Sequence, residues 1–248
     1  MNLAIIDSPT DKRVALLANQ LAVPIIAIEL AESSVFQFFL IYRDGCLKLL
    51  DRQNLKNGGL VVDVDPRPGE QRSYPAPKKD LLAQAVGKKT QSVVDATCGW
   101  AQDSLALFRM GYQVTCLERS PIMAALIQDG FERLAQKDWL QNRELSPPKL
   151  LIGNAIELLT HLPESPECIY LDPMFPPKPK QSAATRKSMT ILRDILGDDL
   201  DRQQLFDAAW HVATRRVVIK SPDYADPLSG KPNLTVQGKL LRYDVYLK

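Results

Sequence analysis

From Ser92 onward, short apolar runs alternate with segments of helical period, and this alternation narrows the possible folds more than any other feature. Strand-like runs are read at Ser92–Ala96, Tyr112–Leu117, Lys149–Ile152, Cys168–Leu171 and Arg216–Lys220. Between them the spacing predicts helices over Ser104–Met110, Ser120 to about Ala135, Ile156–His161, Arg186–Leu196 and Gln203–Ala213. Ser120-Pro121 supplies an N-cap and a proline at the first helical position, and Gly130 is read as a potential break in that helix. Residues 137–148 are polar and end in two prolines, so they read as loop. Two last runs, Leu234–Val236 and Leu241–Tyr246, flank Gly238 as an antiparallel hairpin. The pattern predicts an α/β fold with an open, mostly parallel sheet closed at one end by that hairpin.

Residues 1–65 read as a separate small α/β unit. Strands are expected at Leu3–Ile6, Val35–Tyr42 and Cys46–Leu50, with a helix over Asp11–Leu21 and a hairpin turn at Asp44-Gly45. Asp65-Pro66-Arg67-Pro68-Gly69 is the expected boundary, giving domains 1–65 and 66–248. The following Arg67, Arg72, Lys78 and Lys79, with Tyr74 among them, suit either a phosphate backbone or a solvated linker.

With 45% hydrophobic and 24% charged residues the chain can bury a core, and a net charge of +2 neither announces nor excludes a nucleic-acid partner. Cys46, Cys98, Cys116 and Cys168 lie in or beside apolar segments without CxxC spacing, so they are expected to be reduced, buried and free of metal. Only His161 and His211 are available for histidine chemistry. No apolar stretch approaches a membrane span, and the N-terminus lacks the features of a signal peptide; a cytoplasmic protein is expected.

In parallel α/β sheets, ligands bind at the carboxyl ends of the strands. Four polar sites fall there: Asp95 to Asp103, Glu118, Asn154 with Ala155, and Asp172. The first is a nucleotide-type turn with a single glycine, Gly99, and lacks the GxGxxG and P-loop patterns. Asp95 or Asp103 suits a cationic amino group, and Glu118 sits where such folds place an acid on ribose hydroxyls. Asn154 and the Ala155 N–H suit adenine, although Gly-Asn is also a common turn pair. Together these describe a pocket for adenosine with an amino-acid tail, S-adenosylmethionine, with a dinucleotide as competitor. The fourth site, Leu171-Asp172-Pro173-Met174-Phe175-Pro176, brings a carboxylate, a rigid turn and an aromatic ring off a buried strand. Asp172 and the Pro173 carbonyl can accept the protons of an exocyclic amine while Phe175 covers the ring that carries it.

Asp172-Pro173-Met174-Phe175 is similar to the Asp/Asn-Pro-Pro-aromatic motif of class I methyltransferases that modify exocyclic or amide nitrogens. The longer run Tyr170 to Pro176 with Lys178, Lys180, Ser182 and Ala183 resembles the ribosomal RNA small subunit methyltransferase J family. So do Val94-Asp95-Ala96-Thr97, Asp103, Leu117-Glu118-Arg119, and Lys220 with Pro222-Asp223-Tyr224-Ala225. Where that family commonly has Ala-Gly-Leu-Gly-Arg-Asp, this chain has Cys98-Gly99-Trp100-Ala101-Gln102-Asp103. The resemblance implies a class I, Rossmann-like fold and transfer of methyl from S-adenosylmethionine to guanine N2 of 16S rRNA, as naked RNA or within the ribosomal subunit. It implies Asp172, Pro173 and Phe175 at the reaction centre. Asp95, Gly99, Gln102, Asp103, Glu118, Arg119, Asn154, Ala155 and Asp172 would hold the cofactor. Lys178, Lys180, Lys220 and Tyr224 would meet the substrate, with Arg186 and Lys187 near flanking phosphates. Methylation of adenine N6 or of a protein glutamine amide, a nicotinamide oxidoreductase and a non-catalytic RNA-binding protein remain alternatives.

Overall fold

The apolar runs do become the strands of a parallel sheet in the computed structural model, which describes residues 2–9, 11–56, 58–65, 74–175 and 201–248. The elements, in chain order, begin with β1 (Leu3–Ile6), α1 (Arg13–Leu21), β2 (Ile25–Ile26), β3 (Phe38–Arg43), β4 (Cys46–Asp51), α2 (Leu81–Val86) and β5 (Ser92–Asp95). There follow α3 (Gln102–Arg109), β6 (Gln113–Glu118), α4 (Pro121–Ala135), α5 (Asp138–Gln141), β7 (Lys149–Ile152) and α6 (Ala155–Thr160). The last are β8 (Cys168–Leu171), α7 (Arg202–Val212), β9 (Arg216–Pro222), β10 (Leu234–Gln237) and β11 (Leu241–Leu247). The helix expected over Arg186–Leu196 lies outside the described residues. Among the described residues no helix is long and apolar enough to cross a membrane.

Two units emerge: residues 1–64 with 121–146, and residues 65–120 with 147–248. In the first, β2-β1-β3-β4 form a mixed sheet in which β1 runs parallel to β2 and β3. β2 is two residues long, too short for a periodicity to reveal. The β3–β4 hairpin turns at Asp44-Gly45, both at positive φ (55° and 73°), the conformation that the expected tight turn demands. Ala4, Ile6, Phe39, Ile41 and Leu50 form its buried core.

Helix α4 belongs to this unit and runs unbroken through Gly130. A Cβ at Gly130 would sit 2.7 Å from Val62 Cγ1 and 3.0 Å from Val62 Cβ. The glycine therefore serves close packing rather than a helix break. One turn on, Arg133 donates to the Val62 carbonyl at 2.7 Å and to Asp129 Oδ2 at 2.9 Å, pinning the same segment to the helix. Part of the stretch read as loop after α4 is the single turn α5, closed by backbone bonds to Lys137 and Asp138.

The second unit holds a seven-stranded sheet in the order β10-β11-β9-β8-β5-β6-β7. The strands from β9 to β7 in that order are parallel, and β11 lies antiparallel to β9 and β10. The chain builds outward from β5 through β6 to β7, then crosses back to β8 on the other side of β5. The switch point, where ligands bind in such sheets, lies between β5 and β8. All four residues of β8 are 0% exposed, as a strand covered on both faces requires. On one face Val94, Ile169, Leu171, Val217 and Ile219 pack with Leu159 of α6 and Phe206 and Ala209 of α7.

Gly130→Ala should destabilise the protein by about 1–3 kcal/mol through overpacking against Val62, although alanine is the better helix former by about 1 kcal/mol. Urea unfolding checks this. The double variant with Val62→Ala should recover much of the loss, and a Gly130→Ala protein more stable than wild type would rule out the packing role.

Candidate active site

Asp95 ends β5 and is 1% exposed. Its Oδ2 accepts the Ser104 hydroxyl at 2.5 Å and its Oδ1 accepts the Thr97 N–H at 3.1 Å. Burial pushes its pKa up to about 7, against the lowering effect of those two bonds. Glu118 ends the neighbouring β6 and is also buried. Its two oxygens accept the Gly99 N–H at 3.0 Å and the Ser120 N–H at 2.8 Å, while burial raises its pKa. The carboxylate expected to meet ribose thus also holds the Gly99 turn; each oxygen has a second lone pair for a further donor.

That turn needs the left-handed region twice, at Gly99 (φ 53°) and Ala101 (φ 56°). Gly99 takes this conformation without cost, whereas the Cβ of Ala101 costs about 1–2 kcal/mol. The glycine common at this position in the resembling family has its reason here. Ala101 also precedes α3 without a side-chain cap, so the first turn of α3, with Gln102 and Asp103, opens directly from the loop.

Asp172 follows β8, and its N–H donates to Thr97 Oγ1 at 2.6 Å, joining the two ends across the switch point. Lys220 of β9 completes the join: its Nζ lies 2.8 Å from Asp172 Oδ2 and 2.8 Å from Asp103 Oδ2. The Tyr170 hydroxyl donates to the same Asp103 oxygen at 2.6 Å. Burial works against the Lys220 ammonium, yet Asp172 and Asp103 outweigh it and raise its pKa. Burial also raises the phenol pKa of Tyr170 and of Tyr243, the residue registered opposite Lys220 on β11.

Asp95, Gly99, Asp103, Glu118, Asp172 and Lys220, read separately along the chain, are thereby brought to one edge of the sheet. Pro173 is buried directly after Asp172. Phe175 packs at the border of the core, with the Arg202 guanidinium 5.3 Å from its ring centroid. Arg119 pairs with Asp201 at 3.6 Å. Asn154 N-caps α6 through Oδ1, which accepts the Ile156 N–H at 3.0 Å, and Ala155 is the first residue of that helix. Tyr224 is 43% exposed beyond the end of β9. Lys178, Lys180, Arg186 and Lys187 lie outside the described residues. Sequence reasoning missed three positions: Thr97, Ser104 and Tyr170. Thr97 and Tyr170 lie inside the motifs that carried the resemblance; Ser104, three residues into a helix, gave no signal.

The Asp95 carboxyl binds its proton more tightly in the folded chain, near 7, than in the unfolded chain, near 3.8. The folded state therefore holds more protons between those values, and this group's contribution makes stability fall as pH rises from about 4 to about 7, then level off. Urea midpoints across that range should decline less steeply in Asp95→Asn than in wild type. Parallel curves would show that Asp95 is ionised throughout.

The fold and these contacts can be set beside known proteins. A family model described as "Putative SAM-dependent methyltransferase" matches residues 25–248. The ribosomal RNA small subunit methyltransferase J of Aeromonas salmonicida is 39% identical over 90% of this chain and 91% of its own length. The enzyme of the same name from Shewanella loihica is 38% identical over 88% of this chain and 85% of its own. The crystal structure of a SAM-dependent methyltransferase from Neisseria gonorrhoeae superposes with a TM-score of 0.74 at 26% identity, covering 99% of this chain and 95% of that one. The sheet order, the polar strand ends and these similarities agree: the chain belongs to the ribosomal RNA small subunit methyltransferase J family of SAM-dependent methyltransferases.

Proposed function

We propose that this protein transfers a methyl group from S-adenosylmethionine to the exocyclic N2 of a guanine in small-subunit rRNA, in the cytoplasm. The observation that carries the reading is Asp172, held at the switch point beside the acidic ends of β5 and β6. Family membership supports the rRNA substrate, and the Asp-Pro-x-Phe pattern supports an amine on a flat ring.

The residues present fit the cofactor. Its ammonium and sulfonium are cationic, and Asp95, Asp103, Glu118 and Asp172 make this edge acidic. Its carboxylate suits the start of α3 at Gln102, where the helix dipole favours an anion. Glu118 would take the ribose hydroxyls, with Arg119 beside it, and Asn154 and Ala155 would border the adenine. In the same turn the Trp100 indole N–H is buried without a hydrogen-bond partner among the described residues, as expected of a loop shaped around another molecule. When bound, S-adenosylmethionine supplies an electrophilic methyl group on a sulfonium.

The amine of guanine is a poor nucleophile because its lone pair is delocalised into the ring. Asp172 and the Pro173 carbonyl would accept its two N–H bonds, fix the nitrogen and favour a more tetrahedral geometry. Orientation of this kind contributes on the order of 7–11 kcal/mol in well-aligned reactions. Asp172, ion-paired with the Lys220 ammonium, acts as an acceptor; the proton, acidic once the nitrogen is alkylated, leaves to solvent. Phe175 would stack on the base, worth roughly 1–3 kcal/mol. The base must be single-stranded or flipped to reach the site. Lys178, Lys180 and Tyr224 are assigned to the surrounding RNA.

Labelled methyl transfer to small-subunit rRNA from cells lacking the protein, followed by nucleoside mass spectrometry, should yield N2-methylguanosine. Label in adenosine or in protein glutamine would replace this reading with the corresponding alternative. Asp172→Ala should lower kcat on the order of 100-fold or more while S-adenosylhomocysteine still binds. Phe175→Ala should weaken RNA binding by roughly 1–3 kcal/mol, seen in KM for rRNA.

A further inference from the structure

The resemblance places Lys220 on the substrate side of the site, and its contacts are with two acids. Its nitrogen is shared between two carboxylates from different parts of the chain, Asp103 in the first turn of α3 and Asp172 after β8, at 2.8 Å each. Asp103 is also bound by the Tyr170 hydroxyl at 2.6 Å. The two acids belong to opposite halves of the proposed reaction: Asp103 to the cofactor loop, Asp172 to the target amine. Without a cation between them they would face one another as like charges.

We infer that Lys220 is a positioning residue, whose ammonium ties the Asp172 carboxylate to Asp103 and so sets the acceptor of the target amine in register with the cofactor loop. This rests on the assignment of Asp172 as the group that receives the amine. An ammonium at hydrogen-bond distance holds one Asp172 oxygen in place, which restricts the rotation of the carboxylate. The two carboxylates in turn keep the ammonium charged against its burial, raising the Lys220 pKa. The groups facing this cluster are Asp103 from α3, Asp172 and Tyr170 from the β8 segment, and Tyr243 from β11, with Asp95 acting from β5 on Asp103 and Asp172. Lys220 is the cation bridging the two acids among the described residues. Its removal should therefore leave the two carboxylates without the cation that joins them.

Carboxyl carbon NMR of aspartate-labelled full-length protein tests this without reference to activity. Asp103→Asn and Asp172→Asn assign the two signals. In Lys220→Met one of them should titrate about one to three pH units higher than in wild type. In parallel, kcat for rRNA methylation should fall on the order of 100-fold with a much smaller change in KM for rRNA. The acid limb of the kcat profile should move upward with the carboxyl titration. Lys220→Arg, which keeps the charge, should restore the wild-type titration and part of kcat. Unchanged carboxyl titrations in Lys220→Met overturn the inference, as does a kcat loss that Lys220→Arg reproduces in full. If Lys220→Met does not fold, Lys220→Gln takes its place with the same expected shifts. If the titrations move but wild-type protein methylates no rRNA, the proposed reaction fails while the tether between the two acids stands.

Discussion

The junction of Asp172, Thr97, Lys220 and Asp103 depends on β8 being paired on both sides and covered on both faces. Hydrogen bonds to β5 and β9 lock its register, and its four residues have no contact with water. A slip of one residue would turn Ile169 and Leu171 away from the α6–α7 face and swing Asp172 away from Thr97. The cost of that slip, several buried side chains at about 1.5–3 kcal/mol each, is what fixes a flexible carboxylate to within hydrogen-bond distance of its partners. The position of Asp172 is thus set by an apolar strand whose own side chains are fully buried.

The second organising force is charge. Four carboxylates, Asp95, Asp103, Glu118 and Asp172, gather at one sheet edge with Lys220 among them. The protein manages this in three ways. Lys220 neutralises part of the Asp103–Asp172 pair. Backbone N–H groups and a serine satisfy Glu118 and Asp95. Burial raises Asp95 toward neutrality. The negative charge that remains is what the proposed binding of a cationic cofactor at this edge relies on.

Much of the fold was legible because a parallel sheet writes itself plainly. Strands covered on both faces are short unbroken apolar runs, and helices between them carry caps and breakers. Cys168–Leu171 and Leu3–Ile6 were read with their observed limits for that reason. What escaped reading was decided by packing. Gly130 carries the local signature of a helix break, yet it sits in an intact helix because Val62, far away in sequence, needs the space. The two residues of β2 have no period. Asn154 reads equally well as an adenine contact or as a turn, and its bond to the Ile156 N–H shows that it caps its own helix in either case.

The candidate site divides in the same way. The sequence alone identified the acids at the strand ends and the Asp172-Pro173-Met174-Phe175 motif, because strand termini and prolines are local signals that a linear reading can detect. Only the tertiary structure decided which of these groups touch. Thr97 meeting Asp172, Ser104 meeting Asp95, and Lys220 lying between Asp103 and Asp172 join residues separated by 75, 9, 117 and 48 positions. Such pairings follow from strand order in the sheet, and strand order is set by which apolar faces can be buried together, a property of the whole chain that no single stretch of it contains.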